Sequence, residues 1–251
     1  MFESTPIGLA AAALLLLSMP VYALVAGSRA RDPEVAARPR TVLLGYWVRD
    51  WLMWVITPLE RLFLALRIPP VAFNWTGVAF GAAAGVAYAR GDFPLGGWLV
   101  LLGGAADIFD GRIARARGLV SRAGAFLDST LDRFAETFAL AGAVVWFRSS
   151  AWGVLLTTLA LGGSLLVSYA RARGEGLGVT YKGGLMQRAE RLVLLALASL
   201  LDPVAVSLAG WPPGRLLLAV IGFIGLASLA TAFHRTVAIA RALAREGSPR
   251  G

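Results

Sequence analysis

Residues 107–132 read DIFDGRIARARGLVSRAGAFLDSTLD and place two pairs of aspartates on either side of a short Arg-rich turn. Asp107 and Asp110 are spaced i, i+3, and Asp128 and Asp132 are spaced i, i+4, so each pair shares one face if its segment is helical. The short turn predicts that the two helices are antiparallel neighbours. All four carboxylates then converge on one small volume.

The whole chain is too apolar to have a water-facing surface. Of its 251 residues, 57% are hydrophobic and 16% are charged, and the mean hydropathy is +0.68, whereas a soluble domain carries about 25% charged residues. These values exclude a disordered chain and an ordinary soluble domain, and they indicate a polytopic membrane protein. The net charge of +9 is typical of Arg and Lys flanking membrane spans, so we expect membrane lipids, and no nucleic acid, as partners.

Seven apolar segments are predicted to span the membrane. The first is interpreted as a retained N-terminal anchor rather than a cleaved signal, because it lacks a basic leading region. The clusters of Arg fall in alternate turns, which places the C-terminus and the turn between the aspartate pairs in the cytoplasm and the N-terminus outside. The predicted spans are about 7–26, 72–90, 95–109, 124–147, 151–170, 188–208 and 215–233.

Residues 43–66 are predicted to form an amphipathic helix on the membrane surface. Trp47, Trp51 and Trp54 recur at helical spacing among charged residues, and indole rings favour the headgroup region. The alternative is a helix packed on the protein core. The predicted organisation is an anchor (1–31), a linker with the amphipathic helix (32–70), a six-span core (71–237) and a basic tail (238–251).

The four aspartates predict a divalent-metal site. Charged side chains at membrane depth cost about 2.5–3.5 kcal/mol each on insertion scales, so four of them near one membrane face need compensating cations. Carboxylate oxygens without His or Cys favour Mg²⁺, Mn²⁺ or Ca²⁺ over zinc. Two ions about 3.5–4 Å apart would suit a displacement at phosphorus.

The stretch 107–132 fits the pattern D-x2-D-G-x2-A-R-x8-G-x3-D-x3-D at all eight fixed positions. It therefore resembles the CDP-alcohol phosphotransferase family, and the wider resemblance covers about residues 43–237. The resemblance implies an all-α membrane helix bundle with a six-helix core, to which this chain adds its N-terminal transmembrane helix. It also implies a multi-pass homodimer in the cell membrane with its site open to the cytoplasm. The implied enzyme transfers a phosphatidyl group from CDP-diacylglycerol to a polar alcohol and releases CMP.

The resemblance also implies roles for the motif residues. Asp107, Asp110 and Asp128 would hold two divalent ions, Mg²⁺ or Mn²⁺, and Asp132 would share in metal binding and act as the general base. The CDP-binding residues implied are Asp110, Gly111, Ala114, Arg115 and Gly124.

One part of the family pattern is met only loosely. Many relatives carry an Asn and a Thr shortly after a Pro at the start of the first core span. Asn74 and Thr76 stand in the corresponding stretch PPVAFNWTGVAFG, and we assign them no role from the sequence.

The segment SYARARGEGLGVTYKGGLMQRAERLVLL, between the fourth and fifth core spans, predicts an anionic acceptor. Its basic residues lie on the same predicted side of the membrane as the aspartates, and guanidinium groups suit phosphate; the alternative is that they only orient the spans. An inositol phosphate or a glycerol phosphate is predicted ahead of choline or ethanolamine, which would call for aromatic or acidic partners; transferases that use CDP-choline or CDP-ethanolamine, or serine as acceptor, remain alternatives. The candidate acceptor-binding residues are Arg133, Arg171, Arg173, Arg188 and Arg191, with Lys182 nearby.

Two other functions are alternatives to the transferase. An ion-coupled transporter could use the aspartates as a relay, but a relay would spread its acids along a path across the membrane. A non-catalytic scaffold would be marked by loss of a motif aspartate, and all four are present. The sequence therefore favours the transferase.

Overall fold

The computed structural model describes residues 5–27, 32, 45–181 and 183–246, and within these ranges it contains helices and no strand. The prediction of an all-α bundle is confirmed. Parts of the predicted anchor, linker and tail (1–4, 28–31, 33–44 and 247–251), and Lys182, lie outside the described residues. The helices are α1 (Thr5–Ala26), α2 (Tyr46–Ala65), α3 (Pro70–Arg90), α4 (Phe93–Ala116), α5 (Arg122–Trp146), α6 (Ala151–Glu175), α7 (Arg188–Ala209) and α8 (Arg215–Glu246), with a 3₁₀ turn at Phe147–Ser149.

Local signals in the sequence account for several helix ends. Ser121 caps α5, its hydroxyl accepting a hydrogen bond from Gly124 N at 3.0 Å, and Ser150 caps α6 in the same way. α3 is followed by Gly91, whose φ of 80° lies in the left-handed region. The last helix differs from its prediction, because α8 continues past position 233 to Glu246; the added segment is rich in Ala and Arg, which are strong helix formers even without an apolar face.

Helix α3 lies between α4 and α5 and packs extensively on both, whereas α4 and α5 contact each other only sparsely. The prediction that the turn makes α4 and α5 packed neighbours is therefore wrong over most of their length. Glycines allow the close approach of α3: a Cβ on Gly81 would come within 2.5 Å of the Ala135 backbone, and a Cβ on Gly142 would overlap the backbone of Gly85. This packing brings the start of α3 next to the aspartates.

The N-terminal helix packs against the aromatic face predicted for α2. Trp51 is buried and its Nε1 donates to Ser18 Oγ at 2.9 Å, and the ring of Tyr22 lies 5.5 Å from that of Trp47 and 5.7 Å from that of Trp54. All three indoles therefore contact α1. The contact of α2 with the membrane surface stays a prediction.

Four of the described helices are long and apolar enough to cross a membrane: α4, α6, α7 and α8. α1 contributes the shorter apolar stretch Ala13–Ala26, α3 and α5 are less apolar, and the crossing of the membrane by these three helices stays a prediction. For α5 the reason is visible in its sequence, since Asp128, Asp132, Arg133 and Glu136 lower its mean hydropathy.

Candidate active site

Three of the four motif aspartates meet at one point between α4 and α5. Asp107, Asp110 and Asp128 each offer a carboxylate oxygen, and these oxygens lie within 4.8 Å of one another. The convergence predicted from the spacing is therefore present for these three residues, although α3 separates the two helices over most of their length.

The chemistry of this cluster fits a divalent cation. Asp128 Oδ1 is buried and has no hydrogen-bond partner in the part of the chain that the structure describes. A buried carboxylate oxygen without a partner is strongly unfavourable, and a hard cation bound by carboxylates would satisfy it.

Asp110 is held by two donors. Its side chain is buried and accepts hydrogen bonds from the side-chain amide of Asn74 and from the backbone N–H of Gly111. Asn74, left without a role by the sequence, thus orients a candidate metal ligand from α3. Thr76 differs, because its hydroxyl donates to Ala72 O of its own helix and is exposed.

Arg188 lies among the carboxylates. Its Nη1 is 2.8 Å from Asp107 Oδ2 and its Nη2 is 2.7 Å from Asp132 Oδ1. The guanidinium therefore bridges α4 and α5 from the first turn of α7. This residue, predicted to bind the acceptor, borders the same cleft as Asp107, Asp128 and Asp132.

Arg191 has a different environment from Arg188. It is 3% exposed and forms a two-point pair with Glu136, with Nε 2.6 Å from Oε1 and Nη2 3.0 Å from Oε2. Its guanidinium is thus committed to joining α7 to α5. Sequence reasoning missed Glu136, but the signal was present: Glu136 follows Asp132 at i+4 inside an apolar helix, where the cost of an unpaired acid also applies.

The other predicted acceptor residues lie further out. Arg171 is exposed and pairs with Glu175 at 2.8 Å on the last turn of α6, and Arg173 is exposed on the same turn. Arg133 is partly buried beside Asp132 and donates to the carbonyl of Ser129.

The predicted CDP-binding residues flank the aspartates at an open surface. Gly111 and Ala114 are partly exposed, and Arg115 and Gly124 are exposed. A Cβ on Gly111 would lie 3.1 Å from Arg115 Nη1, so the bare backbone of Gly111 allows the guanidinium to lie over it.

Comparisons with known proteins identify a family and a set of relatives. A sequence model of the family described as CDP-alcohol phosphatidyltransferase matches residues 71–225. The phosphatidylinositol phosphate synthase of Streptomyces avermitilis is 33% identical over 220 residues, which cover 85% of this chain and 87% of that protein. The archaetidylinositol phosphate synthase of Methanothermobacter thermautotrophicus is 36% identical over 135 residues, covering 54% of this chain and 68% of that protein.

Solved structures show the same fold. The crystal structure of Mycobacterium tuberculosis phosphatidylinositol phosphate synthase with CDP-DAG bound has a TM-score of 0.63 and 26% identity, covering 74% of this chain and 93% of that chain. The structure of the same synthase in complex with manganese and citrate has a TM-score of 0.64 and 26% identity, covering 73% and 88%.

Proposed function

Since the chain belongs to the CDP-alcohol phosphatidyltransferase family, we propose that it transfers the phosphatidyl group of CDP-diacylglycerol to an inositol phosphate and releases CMP. The chain is an integral membrane transferase of phospholipid synthesis that uses a divalent metal. The choice of a phosphorylated acceptor rests on one observation, the placement of the Arg188 guanidinium among the carboxylates, where it can bind the phosphate of an acceptor.

Three of the motif aspartates are proposed to bind metal at the donor site. Asp107, Asp110 and Asp128 would hold the divalent metal, and Gly111, with the residues around it, would leave room for the pyrophosphate. The bound metal would neutralise the pyrophosphate charge and favour the departure of CMP.

Asp132 is proposed as the general base. The acceptor hydroxyl gives its proton to the Asp132 carboxylate as its oxygen attacks the phosphorus that carries the diacylglycerol. A new phosphorus–oxygen bond forms, the bond to the CMP oxygen breaks, and CMP leaves with the electron pair.

Arginines outside the motif are proposed to recognise the acceptor. Arg188 is the central one, with Arg133 next to it and with Arg171 and Arg173 at the outer rim. Arg191 is assigned a positioning role instead, because its guanidinium is buried against Glu136, whereas Arg188 borders the cleft. The names of the relatives, which are synthases of phosphatidylinositol phosphate and archaetidylinositol phosphate, favour inositol phosphate over glycerol phosphate.

Two further features are proposed from the charge pattern and the family resemblance. The Arg clusters favour an active site that opens to the cytoplasm, and the resemblance favours a homodimer. The transporter alternative has no support in the family match, and three of the aspartates gather in one cluster rather than along a path.

The proposed function is tested with the full chain purified in detergent. CMP release from CDP-diacylglycerol is followed with Mg²⁺ or Mn²⁺ and, in parallel, inositol 1-phosphate, glycerol 3-phosphate, inositol, serine or no acceptor. We expect metal-dependent CMP release with inositol 1-phosphate that disappears in Asp110→Asn. Release with glycerol 3-phosphate alone would replace the proposed acceptor, and failure with every acceptor would count against the transferase assignment.

A further inference from the structure

The back face of the metal-bearing helix is tied to the N-terminal part of the chain. Arg112 lies on α4, two residues after Asp110. Its Nε is 2.7 Å from Glu60 Oε2 on α2, and its Nη1 is 2.9 Å from Asp32 Oδ2, which precedes α2. These side chains are only 15%, 13% and 17% exposed, so the network is shielded from solvent more than an ordinary surface salt bridge.

Arg112 and the metal-binding side chains leave α4 on different sides. Successive residues of an α-helix turn by about 100°, so Arg112 lies about 200° around the helix from Asp110. On the side of Arg112, Phe109 and Ile113 pack with Ile56 of α2 and with Phe73. The aspartates therefore project from a turn that is packed and ion-paired on its other side.

Asp32 is itself held in place. Its backbone N–H donates to Asp50 Oδ1 at 3.0 Å, and Asp50 is buried on α2. Asp32 thus contacts both Arg112 and α2, while α2 is joined to α1 through Trp51 and Ser18. A continuous series of contacts therefore connects α1, through α2, to Arg112 on α4.

We propose that Arg112 is a positioning residue that acts through Glu60 and Asp32 to set the rotation of the α4 turn carrying Asp107 and Asp110. The N-terminal segment is then part of the structure that shapes the metal site, rather than only a membrane anchor. This inference rests on the proposed metal site, and the experiment below separates the two.

The test measures Mn²⁺ binding to the full chain in detergent by electron paramagnetic resonance of the free ion. Removing a group that orients metal ligands weakens metal affinity by about 10- to 100-fold, so we expect a loss of about tenfold in Arg112→Gln and a smaller loss in Glu60→Gln and in Asp32→Asn. Arg112→Lys keeps the charge and should recover part of the affinity. The double variant Glu60→Gln/Arg112→Gln should bind no more weakly than Arg112→Gln.

The matched control is Tyr88→Phe, which removes a buried hydrogen bond of 2.9 Å to Ser199 elsewhere in the bundle. It should lower thermal stability without changing Mn²⁺ affinity. In kinetics, Arg112→Gln should lower kcat and raise the Mn²⁺ requirement while the KM of the acceptor stays unchanged.

The outcomes are distinct. Unchanged Mn²⁺ affinity in Arg112→Gln, with affinity lost in Asp107→Asn, would overturn the positioning role and keep the metal site. Unchanged affinity in Asp107→Asn as well would overturn the metal site. If Arg112→Gln does not fold, Glu60→Gln decides, and wild-type affinity in that variant would overturn the proposal.

Discussion

Arg188 Nη2 lies 2.7 Å from Asp132 Oδ1, so a residue proposed to bind the acceptor phosphate is in direct contact with the proposed general base. An acceptor phosphate that binds Arg188 would share the guanidinium with this carboxylate. Binding at Arg188 therefore places the acceptor beside the group that takes its proton. The contact links recognition of the acceptor to the chemical step.

Asp132→Asn should remove the base without removing the metal-binding carboxylates. We expect kcat to fall by about 10²- to 10⁴-fold, the usual contribution of a positioned acid or base. Mn²⁺ affinity should fall less than in Asp110→Asn, because Asp132 lies outside the cluster of three converging carboxylates. Equal loss of Mn²⁺ affinity in the two variants would instead make Asp132 a full metal ligand.

Arg188→Gln should selectively weaken binding of the phosphorylated acceptor. A hydrogen bond to a charged group contributes about 1.5–3 kcal/mol, so kcat/KM for inositol 1-phosphate should fall by about 10- to 100-fold with little change in the KM of CDP-diacylglycerol. Steady-state kinetics with each substrate varied in turn check this. The matched control Arg215→Gln removes a guanidinium at the start of α8, over the ring of Trp211, and should leave the kinetics unchanged. If Arg188→Gln raises the KM of CDP-diacylglycerol as much as the KM of inositol 1-phosphate, Arg188 does not recognise the acceptor.

Glu136→Gln should destabilise the bundle. Breaking a buried ion pair leaves one charge unpaired and costs about 3–5 kcal/mol, here at the buried guanidinium of Arg191. The thermal midpoint in detergent should fall clearly in Glu136→Gln and fall less in Glu136→Gln/Arg191→Met, which removes both charges. A midpoint unchanged from wild type in the single variant would show that the pair does not stabilise the fold.

Gly142→Ala should separate α3 from α5. The added Cβ would overlap the backbone of Gly85, which cannot move aside as a flexible side chain would. We expect a loss of about 1–3 kcal/mol or more in stability and reduced Mn²⁺ affinity, because Asp128 shifts relative to α3 and α4. Gly162→Ala is the control, since a Cβ there meets nothing within 4 Å; similar midpoints for the two variants would argue against the close crossing.

Asn74→Ala should weaken metal binding through Asp110. Without the amide, the Asp110 carboxylate loses one of the two donors that orient it, and we expect a fall of about tenfold in Mn²⁺ affinity. Thr76→Ala is the matched control, because that hydroxyl bonds only within its own helix and its loss should leave Mn²⁺ titrations unchanged. Wild-type Mn²⁺ affinity in Asn74→Ala would remove Asn74 from the site.

The features that could be predicted from the sequence are those that depend on residues close together in the chain. The apolar segments, the capping Ser121 and the i, i+3 and i, i+4 spacings of the aspartates need only local helical geometry. They were enough to predict an all-α bundle, the two aspartate-bearing helices and a divalent-metal site with the chemistry of phosphoryl transfer. The extent of α8 could not be predicted from its apolar pattern, because helix propensity continues where hydrophobicity stops.

The remaining features depend on packing between distant segments, and only the tertiary structure decided them. Asn74 and Asp110 are 36 residues apart, Arg112 and Glu60 are 52 apart, and Arg191 and Glu136 are 55 apart. Each contact depends on how helices pack, as α3 and α5 do where the backbones of Gly85 and Gly142 meet. No periodicity within one helix encodes which neighbour it packs on, so the position of α3 between α4 and α5 could not be read from the motif that lies on α4 and α5.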